Sequence, residues 1–333
     1  MDINNLRFYD GHILVFGHSD LDGAAAAALV KGAFDLGGYA DRHGTRGRQW
    51  ARIRTRGRDR RRVVCRRINY GPSEQQARKF IEKWHSRFIA IVFVDYSPNQ
   101  ETCALMDSLG VNYYVIDHHQ TAFVQEDNPN AKYYMDYSVS GAMGVYNVLK
   151  DHLTVAHKSL AYLADDYDMW RHTNYMSKHL NVIYDTRYGF NSFIRHYAGG
   201  FHGIGRNLIE NTIKPYYIGV MACFAELKME PIPGNGVYVH LSEDCKYFSD
   251  VSLMLEKKFP WYVLGRTKKD SVSLSFRTRL DTINLGMVLQ GIGMGGGGHA
   301  KAAGQRLPLD SDIMGFIGRV YDDIMECDPK AFG

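Results

Sequence analysis

Five stretches of the chain carry carboxylates, imidazoles or bare backbone in patterns able to do chemistry. The densest is Asp117-His118-His119, which follows directly on the β-branched pair Val115-Ile116. An acid and two imidazoles at that point can bind a metal, place a nucleophile or contact an anion, and this triplet alone does not choose among them. A second group is His18-Ser19-Asp20-Leu21-Asp22. Alternate spacing in an extended segment puts His18, Asp20 and Asp22 on one side, which suits a divalent cation. A cap for the alanine-rich helix that follows would need only one of these acids. Asp95 closes the apolar run 88–94, and Asp165, Asp166 and Asp168 crowd the end of a helical segment. Three acids there oppose the helix dipole unless a cation is near, so at least one of them reads as a metal ligand. The fifth stretch is Gly295-Gly296-Gly297-Gly298-His299, followed by Ala300-Lys301-Ala302-Ala303-Gly304. Its glycines leave backbone amides uncovered, and a small-residue helix after them would add a positive N-terminus, together a phosphate cradle.

Strands must position these groups. Residues 12–17, 63–70, 88–94 and 111–116 read as short buried strands, and 73–87 and 99–109 as the helices between them. Strand and helix alternate, so the expected fold class is α/β: a doubly wound parallel sheet as N-terminal domain, a helical linker, and a smaller mixed α/β C-terminal domain. The loops bearing His18, Asp20, Asp22, Asp95 and Asp117 to His119 then share the carboxyl edge of one sheet, where ligand sites of open α/β sheets form. Helices are expected at 138–152 and 155–166, and residues 171–230 read as the linker. Beyond 236 the period predicts strands at 237–241, 261–266 and 271–277, the last two a hairpin about Lys268-Lys269-Asp270, with helices at 248–259 and 281–290. The expected domains are residues 1–170, 171–230 and 231–333.

Composition removes several other classes. At 333 residues, 45% apolar and 23% charged, the chain has the make-up of an ordinary soluble protein long enough for two cores. No apolar run approaches the roughly 18 residues of a membrane span, and residues 1–10 lack the pattern of a secretory signal. Five scattered cysteines with no CxxC pair exclude a disulfide framework or a thiolate zinc site, so the expected setting is cytoplasmic. The net charge of +4 conceals a segment of opposite character: residues 41–67 hold twelve Arg, no Lys and two acids, +10 in all, which leaves −6 elsewhere. That stretch has no helical or strand period. It reads as an arm that neutralises nucleic-acid phosphates, as a solvated loop, or as a reading-frame error, and no site residue is assigned in it.

Taken together, His18-Ser19-Asp20-Leu21-Asp22-Gly23, Asp95, Asp117-His118-His119, the acidic end at Asp166 and Gly295-Gly296-Gly297-Gly298-His299 with Ala302-Ala303-Gly304 resemble the DHH phosphoesterase superfamily, in the branch with a C-terminal DHH-associated domain. The motifs fall in the family's order over nearly the whole chain. The resemblance implies two divalent ions, Mn²⁺ or alternatively Mg²⁺, bridged by Asp95. One ion would take His18 and Asp20, the other Asp22, His118 and Asp166; the choice of Asp166 follows an acidic pattern ending in Trp170. Ligands of carboxylate and imidazole without thiolate also suit Mn²⁺. Asp117 would orient a histidine, and His119 would face the substrate phosphate.

The implied reaction is hydrolysis of a phosphoester by two metals about 3.5–4 Å apart. Asp95, Asp117, His118 and His119 are its expected catalytic groups. Arg277, at the end of a strand, would pair with a substrate phosphate, and Gly296, Gly297, Gly298 and His299 would hold a terminal phosphate or nucleotide. Closure between the domains would bring metals and glycine loop together. Separate elements for the chemistry and for a distal phosphate favour a short RNA or DNA oligonucleotide or a dinucleotide, attacked by a nano-RNase-like exonuclease releasing nucleoside monophosphates. Adenosine bisphosphate or a cyclic dinucleotide is the next choice, and a non-catalytic nucleotide- or RNA-binding module the reading of another class. No membrane partner is expected, and the reading admits a homodimer.

Overall fold

Alternation decides the first sheet. In β1, His12–His18, Ile13 and Val15 enter one apolar layer while Leu14 and Phe16 enter another, so both faces of the strand are covered. In the computed structural model, which describes residues 2–9, 11–35, 63–119, 122–125, 127–293 and 296–332, β1 lies between β2 (Val63–Ile68) and β3 (Phe88–Val94). Next to β3 come β4 (Tyr113–Asp117) and β5 (Ala131–Met135), all pairs being parallel. The order β2-β1-β3-β4-β5 reverses direction between β1 and β3. Such a switch point opens a crevice at the strand carboxyl ends. The arginine-rich stretch lies outside the described residues from 41 to 62; only 63–67 are seen, in β2.

One layer is formed by α1 (Leu21–Asp35), whose residues are buried except Lys31 and Asp35. A helix apolar all round must be wrapped, and the consecutive alanines let it sit close to its neighbours. α2 (Pro72–Trp84) and α3 (Gln100–Ser108) cover the opposite face through Ala77, Ile81, Cys103 and Met106. α4 (Gly141–Leu149), α5 (Val155–Asp168), α6 (Tyr175–Ile183) and α7 (Gly189–Tyr197) contribute to the same apolar cluster as α1. The expected doubly wound α/β architecture is therefore present, with β5 an added strand that the sequence reading did not include.

The chain divides into two units between Ile213 and Lys214 rather than into three parts. Residues 171–213 are not a linker: Leu180, Tyr184, Phe190, Phe193, Ile194 and Tyr197 belong to the apolar core of the first unit. That unit closes with α8, the turn Arg206–Leu208, which runs on into a π-helical turn at Ile209–Ile213. The second unit begins with α9 (Lys214–Ala225) and carries β6 (Met229–Ile232), β7 (Gly236–Leu241), β8 (Trp261–Lys268), β9 (Ser271–Thr278), β10 (Gly297–His299) and β11 (Ala302–Pro308). Its sheet has the order β10-β11-β9-β8-β7-β6 and is mixed, β7 and β8 being parallel and the other neighbours antiparallel. α10 (Phe248–Glu256) packs in the cluster on one face, while α11 (Leu285–Gly291) and α12 (Ile313–Cys327) pack in the other. Among the described residues no helix is long and apolar enough to cross a membrane.

One element differs in kind. The stretch after the glycines is not a helix but β11, in which Ala303, Gln305 and Leu307 are buried alternately with exposed neighbours. A period of two, with Gly304 and Pro308 inside the segment, outweighs the helix preference of Ala302-Ala303. β10 pairs with it as Gly297 to Gly304, Gly298 to Ala303 and His299 to Ala302. The glycine amides thus lie in a hairpin, and the expected helix N-terminus is absent there.

Candidate metal centre

The carboxyl ends of β1, β3 and β4 deliver His18, Asp95 and Asp117 to the switch point of the first sheet. Asp95 leaves β3 with φ +53°, a left-handed conformation that aspartate tolerates better than most residues. Its N–H donates to the Ile116 carbonyl at 2.9 Å, which holds the two adjacent strand ends together. α4 passes so close that a Cβ on Gly141 would lie 2.5 Å from Asp95 Cβ and 2.8 Å from its Cα. Only glycine fits that contact.

Around Asp95 the predicted residues converge. His18 Nδ1 is 2.7 Å from Asp20 Oδ2 and 3.8 Å from Asp95 Oδ2. On the other side His118 Nε2 is 3.2 Å from Asp95 Oδ1 and 3.5 Å from Asp168 Oδ2. Two triads, His18-Asp20-Asp95 and Asp22-His118-Asp168, each offer ligand atoms within 4.8 Å of one another, and Asp95, Asp117, His118 and His119 do the same. Asp22 is held by Ser140 Oγ, which donates to Oδ1 at 2.7 Å, and by the Ala142 N–H at 3.1 Å. Asp117 accepts from Ser97 Oγ at 2.7 Å and from the His118 N–H at 2.8 Å, and its Oδ1 lies 2.8 Å from His119 Nδ1. The partner that Asp117 orients is therefore His119.

Asp166 is not in this cluster. Its carboxylate accepts from the N–H of Thr173 at 2.9 Å and of Asn174 at 3.2 Å, and from the hydroxyls of Ser177, at 2.6 Å, and Thr173. Burial pushes Asp166 up, but these donors together outweigh it and hold the carboxyl below its usual range. Asp168, two residues on, reaches His118 instead. A helix turns about 100° per residue, so positions two apart face different ways. The pattern of acids located the helix end without fixing which face met the site. Asp165 turns to the Ser140 N–H, 2.8 Å away, and to Arg171.

The electrostatics favour a cation. Burial, then the charges of Asp22, Asp20 and Asp168, push Asp95 well above the carboxylate range. Burial, Asp168 and Asp20 do the same to Asp22, and Asp168 is pushed up to about 6 by burial and then by Asp20. Asp95 Oδ2 is buried with no hydrogen-bond partner among the described residues. Buried carboxylates so close are unfavourable unless a positive ion joins them. The hydrogen bond to Asp117 raises His119, whereas burial, then His119, lowers His118 toward the neutral form that ligates metals. Carboxylate and imidazole donors around an orphaned oxygen fit a divalent ion.

In the second unit, Arg277 of β9 pairs in register with Ala302 and Tyr262, and Ala302 pairs with His299. Arg277 and His299 thus stand in one row across the sheet. Gly296 precedes β10, and Gly297 and Gly298 form its first two positions.

The fold is a doubly wound α/β sheet whose switch point carries a cluster of carboxylates and imidazoles able to hold a metal ion. Residues 12–169 match the model of the DHH family, N-terminal domain, and this segment of the chain is a DHH domain. The fold of the chain is similar to that of a DHH-domain protein described as a member of a family of ribosomal proteins, with TM-score 0.61 and 14% identity over 97% of this chain and 88% of that one. It is also similar to PggH, a pGpG-specific phosphodiesterase from Vibrio cholerae, with TM-score 0.56 and 15% identity over 94% of this chain and 99% of that one. The third similarity is to RecJ from Thermus thermophilus in complex with Mn²⁺, with TM-score 0.54 and 13% identity over 95% of this chain and 52% of that one. Among curated proteins no sequence matches significantly.

Proposed function

We infer that the chain is a two-metal-dependent phosphodiesterase of short oligonucleotides or dinucleotides, a nano-RNase-like exonuclease that releases nucleoside monophosphates. The observation that carries this reading is the meeting of two ligand triads at Asp95, one through His18 and one through His118. His18, Asp20 and Asp95 would hold one ion; Asp22, His118, Asp168 and Asp95 would hold the other. Mn²⁺ suits this donor set, with Mg²⁺ as the alternative. Bound there, the pair supplies an activated water and charge neutralisation for in-line displacement at phosphorus.

The protein's own groups do the rest. Asp117 fixes His119 through Nδ1, which leaves Nε2 for the substrate. Because that contact raises its basicity, His119 can carry a proton at Nε2 and offer it to a phosphate oxygen or to the leaving oxygen. Burial pushes Asp117 up, but His119, then Ser97 and the His118 N–H, outweigh it and hold the carboxyl below its usual range. Arg277, whose guanidinium forms a planar fork, and the backbone from Gly296 through His299 are the substrate-binding candidates of the second unit. Similarity to PggH, a pGpG-specific phosphodiesterase, and to the exonuclease RecJ supports a linear nucleotide phosphodiester over adenosine bisphosphate or a cyclic dinucleotide.

The deciding experiment incubates the full chain and Mn²⁺ with RNA of two to five nucleotides, a 20-nucleotide DNA, adenosine bisphosphate and cyclic dinucleotides. Fastest turnover of the shortest RNA is expected. Hydrolysis of none of them would leave a nucleotide-binding module and end the enzymatic reading.

A further inference from the structure

Tyr70 is a large aromatic side chain beside the metal cluster that the chemistry above does not use. It follows β2, the strand next to β1, and remains 53% exposed. Its ring centroid lies 6.0 Å from that of His18 and 6.5 Å from that of His119, so it borders both the metal ligands and the candidate proton carrier. Beneath it stands Tyr96, fully buried, with centroids 4.7 Å apart and planes inclined by 34°. Tyr96 leans in turn on Phe93 at 6.4 Å, and Phe93 stacks on Phe16 at 5.4 Å and 17°. A column of four rings therefore rises from the core and ends at the site with a half-exposed member. The backbone beside it is anchored, since the Asn69 N–H donates to Ser73 Oγ at 3.1 Å and Asn69 Oδ1 accepts from Ser19 Oγ at 2.6 Å.

An aromatic ring left half bare among charged groups forgoes burial, and a supported ring of fixed position is what a base needs for stacking. We propose that Tyr70 is the platform on which the nucleobase next to the scissile phosphate stacks, so that the site takes base-bearing phosphodiesters in preference to bare phosphate compounds. This deepens the phosphodiesterase reading and rests on it. Stacking of this kind tolerates any base, because each has a π-face, and so it sets nucleotide character without sequence preference.

The test compares wild type, Tyr70→Phe and Tyr70→Leu on a dinucleotide and on its counterpart lacking the base, with Mn²⁺ bound. In Tyr70→Leu the ratio of kcat/KM for the two substrates falls by about 5- to 150-fold, the range of base–aromatic stacking, while Tyr70→Phe preserves the ratio. Equal loss on both substrates, or an unmoved ratio in the Leu variant, overturns the platform. A second measurement is independent of turnover: calorimetric binding of AMP against ribose 5-phosphate to the same three proteins. Loss of the AMP preference in Tyr70→Leu supports the platform even where no phosphodiester is cleaved, a result that would sink the phosphodiesterase reading alone. An AMP preference that survives the Leu substitution overturns the platform whatever the enzyme hydrolyses.

Discussion

Asp166 and Asp168 stand two residues apart on one helix end, and the structure makes opposite predictions for their removal. Asp166 accepts hydrogen bonds from four donors. In Asp166→Asn the amide oxygen can retain one side of this set, while the NH₂ confronts donors on the other. With about 1.5–3 kcal/mol for each hydrogen bond to a charged acceptor, the variant loses about 3 kcal/mol. In a unit of this size that lowers Tm by roughly 6–12 °C. Asp168 is pushed from an aspartate's ordinary 3.8 up to about 6, which at ~1.36 kcal/mol per unit is ~3 kcal/mol of unfavourable charge before solvent screening. Its side chain is 28% exposed, so about 1–2 kcal/mol remains after discounting. The sign follows from the raised value. Protonated Asp168 contributes stability present below pH ~4 and lost as pH rises through about 6. Asn carries no charge at any pH, so metal-free Asp168→Asn melts higher than wild type at pH 8, and the gain shrinks toward pH 4. Melting curves in EDTA and in Mn²⁺, at both pH values, measure this. In Mn²⁺ the order changes: Asp168→Asn loses roughly tenfold or more in metal affinity, whereas Asp166→Asn still gains stability from the ion. A destabilised Asp168→Asn together with an Asp166→Asn that melts normally but cannot bind Mn²⁺ would refute the assignment.

Three further outcomes are expected. Asp95→Ala, which removes the carboxylate that belongs to the first triad and reaches His118 of the second, abolishes Mn²⁺-dependent hydrolysis, and turnover near the wild-type rate would disprove the bridging role. Gly141→Ala drives a Cβ into the backbone carbon of Asp95 at 2.8 Å, which costs about 1–3 kcal/mol and weakens Mn²⁺ binding. The control Gly199→Ala, with nothing within 4 Å of the added atom, changes stability by less than about 0.5 kcal/mol. Mn²⁺ affinity falls as pH drops below about 6, because the ion must displace the proton that Asp168 then holds. Calorimetry near pH 6 in buffers of different ionisation heat reads the released proton directly, and a pH-independent affinity would contradict the raised carboxylates.

How much of this was legible in the residues depends on the range of the interaction that decides each feature. β3 is found at residues 88–94 as read, since seven consecutive apolar side chains leave a strand buried on both faces few alternatives. The placing of His18, Asp95, Asp117, His118 and His119 at one edge was equally legible, because parallel strands of alternating α/β chains all end on the same side. β5 was not, since its half-buried Ala131–Met135 has too weak a pattern to announce a strand. Gly297 to Pro308 misled for another reason: Ala302-Ala303 prefers helix locally, and pairing with β9 and β10 overrides that preference. Asp166 against Asp168 is the most instructive case. Both are acids at one helix end, and the sequence around them says only that a cation or donors must lie nearby. Which carboxylate meets His118 depends on the rotation of α5 against β4, and that rotation is set by packing of Leu160, Leu163 and Ala164 into the core around α1. A choice made by apolar side chains several residues away leaves no trace in the acidic motif itself, so the ligand is assigned by the helix's buried face and the partner of Asp166 by the loop that follows it.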